Sequence, residues 1–279
     1  MSDRQRRNFP IDELNSAAAN IRRQVVRMVA RHGQGYVQQG LGATELFTYL
    51  YFAELQIDAA DPDWAERDRF ILSTAHNSAV FHATLAERGL IDPARLDTYC
   101  DDGSQLEINV SERLGSLVEC TCGSLGQGLS VAIGLAEAAK RRSMQRRCHV
   151  LLGDGELQEG QTWEAAMYAG SNQLKNVCLT IDVNRLQVEG DTNNVLTMEP
   201  LEDKWRAFGW AVRSVDGNDF SELAGAYDWL RSQNQPGVLL ANTLVGKGVP
   251  FLEGKMSHNM VLPAEVARDA LVHLDNTTQ

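Results

Sequence analysis

Two short segments of this chain carry residues able to hold a divalent cation and a phosphorylated ligand. Gly153-Asp-Gly-Glu156 directly follows the apolar run His149-Val-Leu-Leu152, and Asp182-Val-Asn184 directly follows the run Val177-Cys-Leu-Thr-Ile181. The Asp154 carboxylate and the Asn184 amide oxygen are hard ligands, better matched to Mg²⁺ or Ca²⁺ than to zinc. Mg²⁺ takes few protein ligands and fills its shell with phosphate oxygens and water. The glycines beside Asp154 let a diphosphate approach the main chain, and a helix after Gly155 would aim its N–H groups at it. Either segment alone reads as an ordinary turn or helix cap. Their occurrence about 30 residues apart, at the ends of consecutive apolar runs, points to one site.

These segments need strands to position them. Continuous apolar runs fit strands buried on both faces, as in a parallel sheet. Besides the two runs above, Arg69-Phe-Ile-Leu-Ser73, Val212–Val215 and Val238–Asn242 read as strands. Helical periodicity marks Ile21 to about Arg31, Ala43 to about Leu55, Ala79–Arg88, Gly123–Lys140, Thr162–Gly170 and Glu222–Arg231. Gly33–Gly40 reads as a loop, and Asp92–Val118 as mostly irregular. Strand and helix alternate, which predicts an α/β fold with a doubly wound parallel sheet and helices on both faces. No linker or internal repeat interrupts the pattern, so residues 1–279 are expected to form a single domain. Ligands of such sheets bind beyond the carboxyl ends of the strands, where Asp154 and Asn184 fall.

Composition narrows the function classes. The net charge of −11 argues against nucleic acid or anionic membranes as main partners. No run reaches the ~18 apolar residues of a membrane span. Met1–Pro10 is polar and basic without an apolar stretch behind it, so no signal peptide is expected. Five irregularly spaced cysteines suggest free thiols and a cytoplasmic setting. Cys120-Thr-Cys122 lacks the second cysteine pair of a zinc site, and no P-loop or dinucleotide fingerprint is present. His149 reads as a packed strand residue, and Arg141, Arg142, Arg146 and Arg147 as a solvated face.

The segment Gly153–Asn184 resembles the thiamine diphosphate motif, and the chain from about Ile21 to Leu271 resembles the N-terminal half of transketolase. Further landmarks agree in order: Leu72-Ser-Thr-Ala-His76, Glu119-Cys-Thr-Cys-Gly-Ser-Leu-Gly-Gln-Gly-Leu129, and Gly246-Lys-Gly-Val249 followed by His258. The resemblance implies the thiamine diphosphate-binding fold, with thiamine diphosphate and Mg²⁺ as cofactors and Ca²⁺ or Mn²⁺ able to replace the magnesium. By the same resemblance Asp154, Asn184 and the Leu186 carbonyl hold the metal. Gly155 and Asn184 contact the diphosphate, and Gly123, Ser124 and Leu125 line the cofactor. His76 and His258 lie near the diphosphate and the thiazolium, where they can hydrogen-bond sugar oxygens. Glu159 matches a glutamate at the family's subunit contact. The implied reaction is ping-pong transfer of a two-carbon ketol unit from a ketose phosphate to an aldose phosphate. In the family a glutamate on a separate pyrimidine-binding domain activates the cofactor. This chain ends at Gln279, just past the match to the first domain. A C-terminal transketolase subunit supplying that glutamate is therefore expected, in an α₂β₂ assembly.

The chain also departs from the family pattern. A family histidine near the first helix falls on Tyr36, and a second falls in Leu106-Glu-Ile-Asn-Val110, which has none. Both handle donor hydroxyls in the family, so an unusual donor, such as a branched or modified sugar phosphate, is expected. Two alternatives stay open: a component of another thiamine enzyme (the α subunit of a 2-oxoacid dehydrogenase, or a deoxyxylulose-phosphate synthase relative) and a non-catalytic regulatory homologue.

Overall fold

The computed structural model describes Arg6, residues 9–255 and residues 260–276. Five strands form one sheet: β1 (Arg69–Leu72), β2 (Cys148–Gly153), β3 (Val177–Val183), β4 (Ala211–Asp216) and β5 (Gly237–Asn242). Their order is β1-β2-β3-β5-β4, and every pairing is parallel. Each strand lies within a residue or two of the run that predicts it. All of β3 is buried, which is why its sequence runs mostly apolar without a polar alternate face.

Successive strand residues face opposite sides of the sheet, and each side has its own core. Leu151 and Leu239 pack with α1 (Ile11–His32), α2 (Ser78–Glu87) and α5 (Phe220–Arg231) through residues such as Ile21, Val25, Phe81 and Tyr227. Val150, Leu152, Leu179 and Ile181 pack on the other side with α3 (Gly128–Arg141) and α4 (Gly160–Ser171). The buried alanines 132, 136, 165, 166 and 169 let those helices approach the sheet closely. Helices thus cover both faces, as expected. A last helix, α6, spans Ala264–Asn276. None of the described helices is long and apolar enough to cross a membrane.

Several sequence expectations need correction. The helix expected from Gly123 begins at Gly128, because the preceding loop is held open by hydrogen bonds described below. The loop expected over Gly33–Gly40 ends early, with Val37–Gly42 forming a buried helical turn. The helix expected over Ala43–Leu55 divides into Thr44–Tyr49 and a π-helical turn, Leu50–Glu54. Helix α1 starts ten residues earlier than expected, since Leu14, Ala17 and Ala18 extend its buried stripe. Arg146 is buried and donates to the Ala65 carbonyl at 2.8 Å, so it is no part of a solvated face. His149 is buried at the start of β2, as expected, and burial holds its imidazole neutral.

Candidate active site

Strand register decides which sequence candidates meet. Gly153 of β2 lies opposite Asp182 of β3, and the Asp154 N–H donates to the Asp182 carbonyl at 3.1 Å. Asp154 and Asn184 therefore emerge side by side at the carboxyl rim. Asp154 Oδ1 accepts from the Gly155 N–H at 2.9 Å, and Oδ2 accepts from the Arg185 N–H at 2.7 Å. The chain turns back at Arg185, which adopts a left-handed conformation with φ 62°. Beyond that turn the Leu186 N–H donates to Asn184 Oδ1 at 3.0 Å, bringing Leu186 into the same group.

The electrostatics of this corner suit a cation. Asp154 is 5% exposed, and its described partners are main-chain N–H groups and, at 3.5 Å, the Thr192 hydroxyl. Burial, followed by the Asp182 carboxylate, pushes the Asp154 carboxyl up to about 7. Burial likewise raises Asp182 to about 6, against hydrogen bonds from Thr243 and Asn184. Two buried acids share the corner, and no lysine or arginine side chain bonds to either among the described residues. A hard divalent ion would offset that repulsion and favour both carboxylates. No group of three His, Cys, Asp or Glu side chains forms a metal centre among the described residues. The oxygens that meet here, the Asp154 carboxylate and the Asn184 amide oxygen, are of the kind Mg²⁺ accepts when phosphate and water complete its shell.

The Gly123–Gly128 loop is joined to this corner by Glu156, a residue that the motif alone does not single out. The buried Glu156 carboxylate accepts from the Gly126 N–H at 2.8 Å, from the Gly153 N–H at 3.3 Å and from the Ser73 hydroxyl. Ser73 Oγ in turn accepts from the Gly128 N–H at 3.2 Å. One side chain thus fastens the exits of β1 and β2 to the loop. Gly126 takes φ 85°, and a Cβ there would stand 2.5 Å from Glu159 Cβ, so the loop closes tightly over the start of α4. Gly123, Ser124 and Leu125 remain exposed at the rim, Leu125 with 36% of its surface. Glu159 is also exposed, immediately before α4. Glu156 was legible in principle, being an acid directly after a glycine of the motif. So was Asp182, a charge closing an apolar run.

His76 follows the β1 exit and lies half-buried against Tyr36, with ring centroids 5.2 Å apart. Burial raises the Tyr36 phenol above its ordinary value, so it stays protonated at neutral pH. The Tyr36 segment is fastened to the last strand exit: the Gly246 N–H donates to the Gln38 carbonyl at 2.8 Å. Arg22, held by Glu45 at 2.6 and 2.7 Å, donates to the Lys247 carbonyl at 3.0 Å. The stretch replacing the second family histidine borders the same rim, because the Val110 N–H donates to the Ala75 carbonyl at 3.1 Å. Leu106 and Val110 are buried there. His258 lies outside the described residues.

Residues 14–270 match the family described as transketolase, thiamine diphosphate binding domain. The chain is 39% identical over 265 residues to the 6-deoxy-6-sulfo-D-fructose transketolase subunit SqwG of Clostridium sp. (strain MSTE9), covering 94% of this chain and 96% of that one. It is 38% identical over 257 residues to an apulose-4-phosphate transketolase subunit of Actinobacillus succinogenes, covering 92% and 93%. Among solved structures, the transketolase of Campylobacter jejuni superposes with a TM-score of 0.89 at 29% identity, over 96% of this chain. The chain spans 43% of that transketolase's length, whereas it matches the two subunits almost end to end. By family match, by near full-length relatives and by fold, this chain belongs to the transketolase family, in its thiamine diphosphate-binding domain.

Proposed function

We propose that this chain is the cofactor-binding subunit of a two-polypeptide transketolase. It would transfer a two-carbon ketol unit from a modified ketose, such as a branched or sulfonated sugar or its phosphate, to an aldose phosphate. The pairing of Asp154 with Asn184 at the exits of adjoining strands carries this reading. The relatives' names support the choice of donor, since one acts on a deoxysulfofructose and another on apulose 4-phosphate. Tyr36 in place of a histidine points the same way. All 279 residues would act as one cofactor- and metal-binding domain in the cytoplasm.

Asp154, Asn184 and the Leu186 carbonyl are the residues that would hold Mg²⁺, and Gly155, without a side chain, would contact the diphosphate. Thiamine diphosphate, when bound, supplies the nucleophilic carbon that cleaves and forms the sugar carbon–carbon bond. Exposed Gly123, Ser124 and Leu125 would lie against the cofactor, positioned through Glu156. His76, and His258 from the last loop, would hydrogen-bond the sugar oxygens and move protons at them. The protonated Tyr36 hydroxyl can donate a hydrogen bond to the donor but carries a proton poorly at neutral pH.

A second polypeptide would supply the activating glutamate, as the name "subunit" in both relatives suggests. Glu159 and Leu125, exposed beside the site, would face it in an α₂β₂ complex. The test is reconstitution. Ketol transfer is expected only when the chain is combined with a pyrimidine-domain polypeptide, and faster with a modified ketose phosphate than with xylulose 5-phosphate. Full activity of the chain alone, or preference for xylulose 5-phosphate, would count against the proposal.

A further inference from the structure

Immediately before the Gly123–Leu125 loop, the sulfurs of Cys120 and Cys122 lie 3.1 Å apart. Alternate residues of an extended segment face the same side, and bends at Glu119 and Cys120 bring the two thiols together. The segment is anchored around them. The Thr121 hydroxyl donates to Glu112 Oε2 at 3.0 Å and accepts from the Glu112 N–H at 3.2 Å. Glu119 is held by the buried Arg67 and, at 3.4 Å, by Arg69. Cys122 is buried in the core beneath α3 and α4, while Cys120 is only half-buried.

The five thiols differ in reactivity. Burial pushes Cys100 and Cys178 up to about 11 and Cys148 up to about 12, leaving them protonated and weakly nucleophilic. Cys120 is shifted the other way, chiefly because Cys122 donates a hydrogen bond to its sulfur. Cys122 rises correspondingly, as expected for a pair in which one thiol holds the proton that the other gives up.

We propose that Cys120 and Cys122 are a redox-active pair that closes to a disulfide on reaction with a small-molecule disulfide, and that closure weakens cofactor binding through the adjoining Gly123–Leu125 loop. The second half of this statement rests on that loop being the cofactor loop. The Cys120 thiolate attacks one sulfur of the small disulfide, forming a mixed disulfide and releasing one thiolate, which is protonated. The Cys122 thiol then loses its proton to solvent and attacks Cys120 Sγ, expelling the second small thiolate. Two protein thiols are oxidised and one small disulfide is reduced to two thiols. A disulfide needs its sulfurs about 2.05 Å apart, so closure must draw Cys120 and Cys122 together. Gly126, fixed by Glu156, does not follow. The displacement falls on Gly123–Leu125.

The experiment uses the full chain purified with its partner polypeptide, equilibrated in reduced or oxidised glutathione. Peptide mass spectrometry reads the thiols, and calorimetry reads thiamine diphosphate affinity in Mg²⁺. Expected are the loss of two hydrogens within the peptide carrying Cys120 and Cys122, at least tenfold weaker cofactor binding, and reversal of both by dithiothreitol. The Cys120→Ser variant should keep the reduced wild-type affinity in either buffer. Cofactor binding by the reduced protein with no 120–122 linkage on oxidation overturns this proposal alone, as does a linkage that leaves affinity unchanged. An equal loss of affinity in Cys120→Ser on oxidation also overturns it. Absence of cofactor binding by the reduced protein overturns the assignment of the loop as well.

Discussion

The Asp182 carboxylate raises the proton affinity of Asp154, its neighbour across β2 and β3, and the two acids are buried together at the carboxyl rim. Burial, followed by the Asp182 carboxylate, holds Asp154 at about 7, and burial holds Asp182 at about 6, both well above the ~4 of an unfolded aspartate. Between about 4 and 7 the folded, cation-free chain binds more protons than the unfolded chain, so these acids lower stability as pH rises through that window. A divalent cation held at the proposed site would favour the deprotonated pair and reverse the trend. Stabilisation by Mg²⁺ and thiamine diphosphate should therefore be small near pH 5.5 and grow towards pH 8. Thermal melts at both pH values, with and without the ligands, check this. A ligand-induced shift of equal size at both would contradict it.

Tyr36 and His76 form the wall that the donor sugar would meet. Replacing Tyr36 with histidine should restore a proton-carrying group and raise turnover of xylulose 5-phosphate relative to a modified ketose phosphate by about tenfold, equivalent to ~1.4 kcal/mol of discrimination. Tyr36→Phe should lower kcat/KM for the modified donor while leaving thiamine diphosphate affinity unchanged. Steady-state kinetics with both donors read the ratio, and an unchanged ratio in Tyr36→His would remove Tyr36 from donor recognition.

Glu156 accepts three hydrogen bonds from three separate segments. In Glu156→Gln, an amide N–H would face either the Gly126 or the Gly153 N–H, leaving a buried donor unpaired at a cost of about 1–3 kcal/mol. Denaturant unfolding should show that loss, and the looser Gly123–Leu125 loop should weaken cofactor binding more than it slows turnover at saturating cofactor. A full loss of kcat with unchanged affinity would instead put Glu156 in direct contact with the chemistry.

Gly126→Ala tests the loop from another side. Its φ of 85° disfavours alanine, and the new Cβ would stand 2.5 Å from Glu159 Cβ. A stability loss of about 1–2 kcal/mol with reduced cofactor affinity is expected. Wild-type unfolding and binding would show that the loop relaxes freely.

The sheet is legible in the sequence because burial on both faces leaves near-continuous apolar runs in β2, β3 and β5. The Asp154–Asn184 pairing is legible because parallel strands joined by one helix place their exits together. The loop before α3 is not. Glycine and alanine content extends the helical pattern back to Gly123, whereas the tertiary hydrogen bonds that Gly126 donates to Glu156 and Gly128 donates to Ser73, with the left-handed φ of Gly126, set the helix start at Gly128. Helix α1 reads short because alanines 17 and 18 carry its stripe with little hydrophobic signal. Asp182 is visible in the sequence as a charge closing an apolar run, but its pairing with the Thr243 hydroxyl at the exit of β5 is not, since no periodicity places that exit beside it. The Tyr36–His76 contact joins residues whose proximity no periodicity encodes.

The most direct measurement is calorimetric titration of thiamine diphosphate, in the presence of Mg²⁺, into the assembled complex carrying Asp154→Ala. If Asp154 holds the cation as proposed, its loss should weaken binding by about a hundredfold, or ~2.7 kcal/mol, and abolish its dependence on magnesium. Wild-type affinity with magnesium dependence intact would contradict the assignment of Asp154 and Asn184 as the cation site.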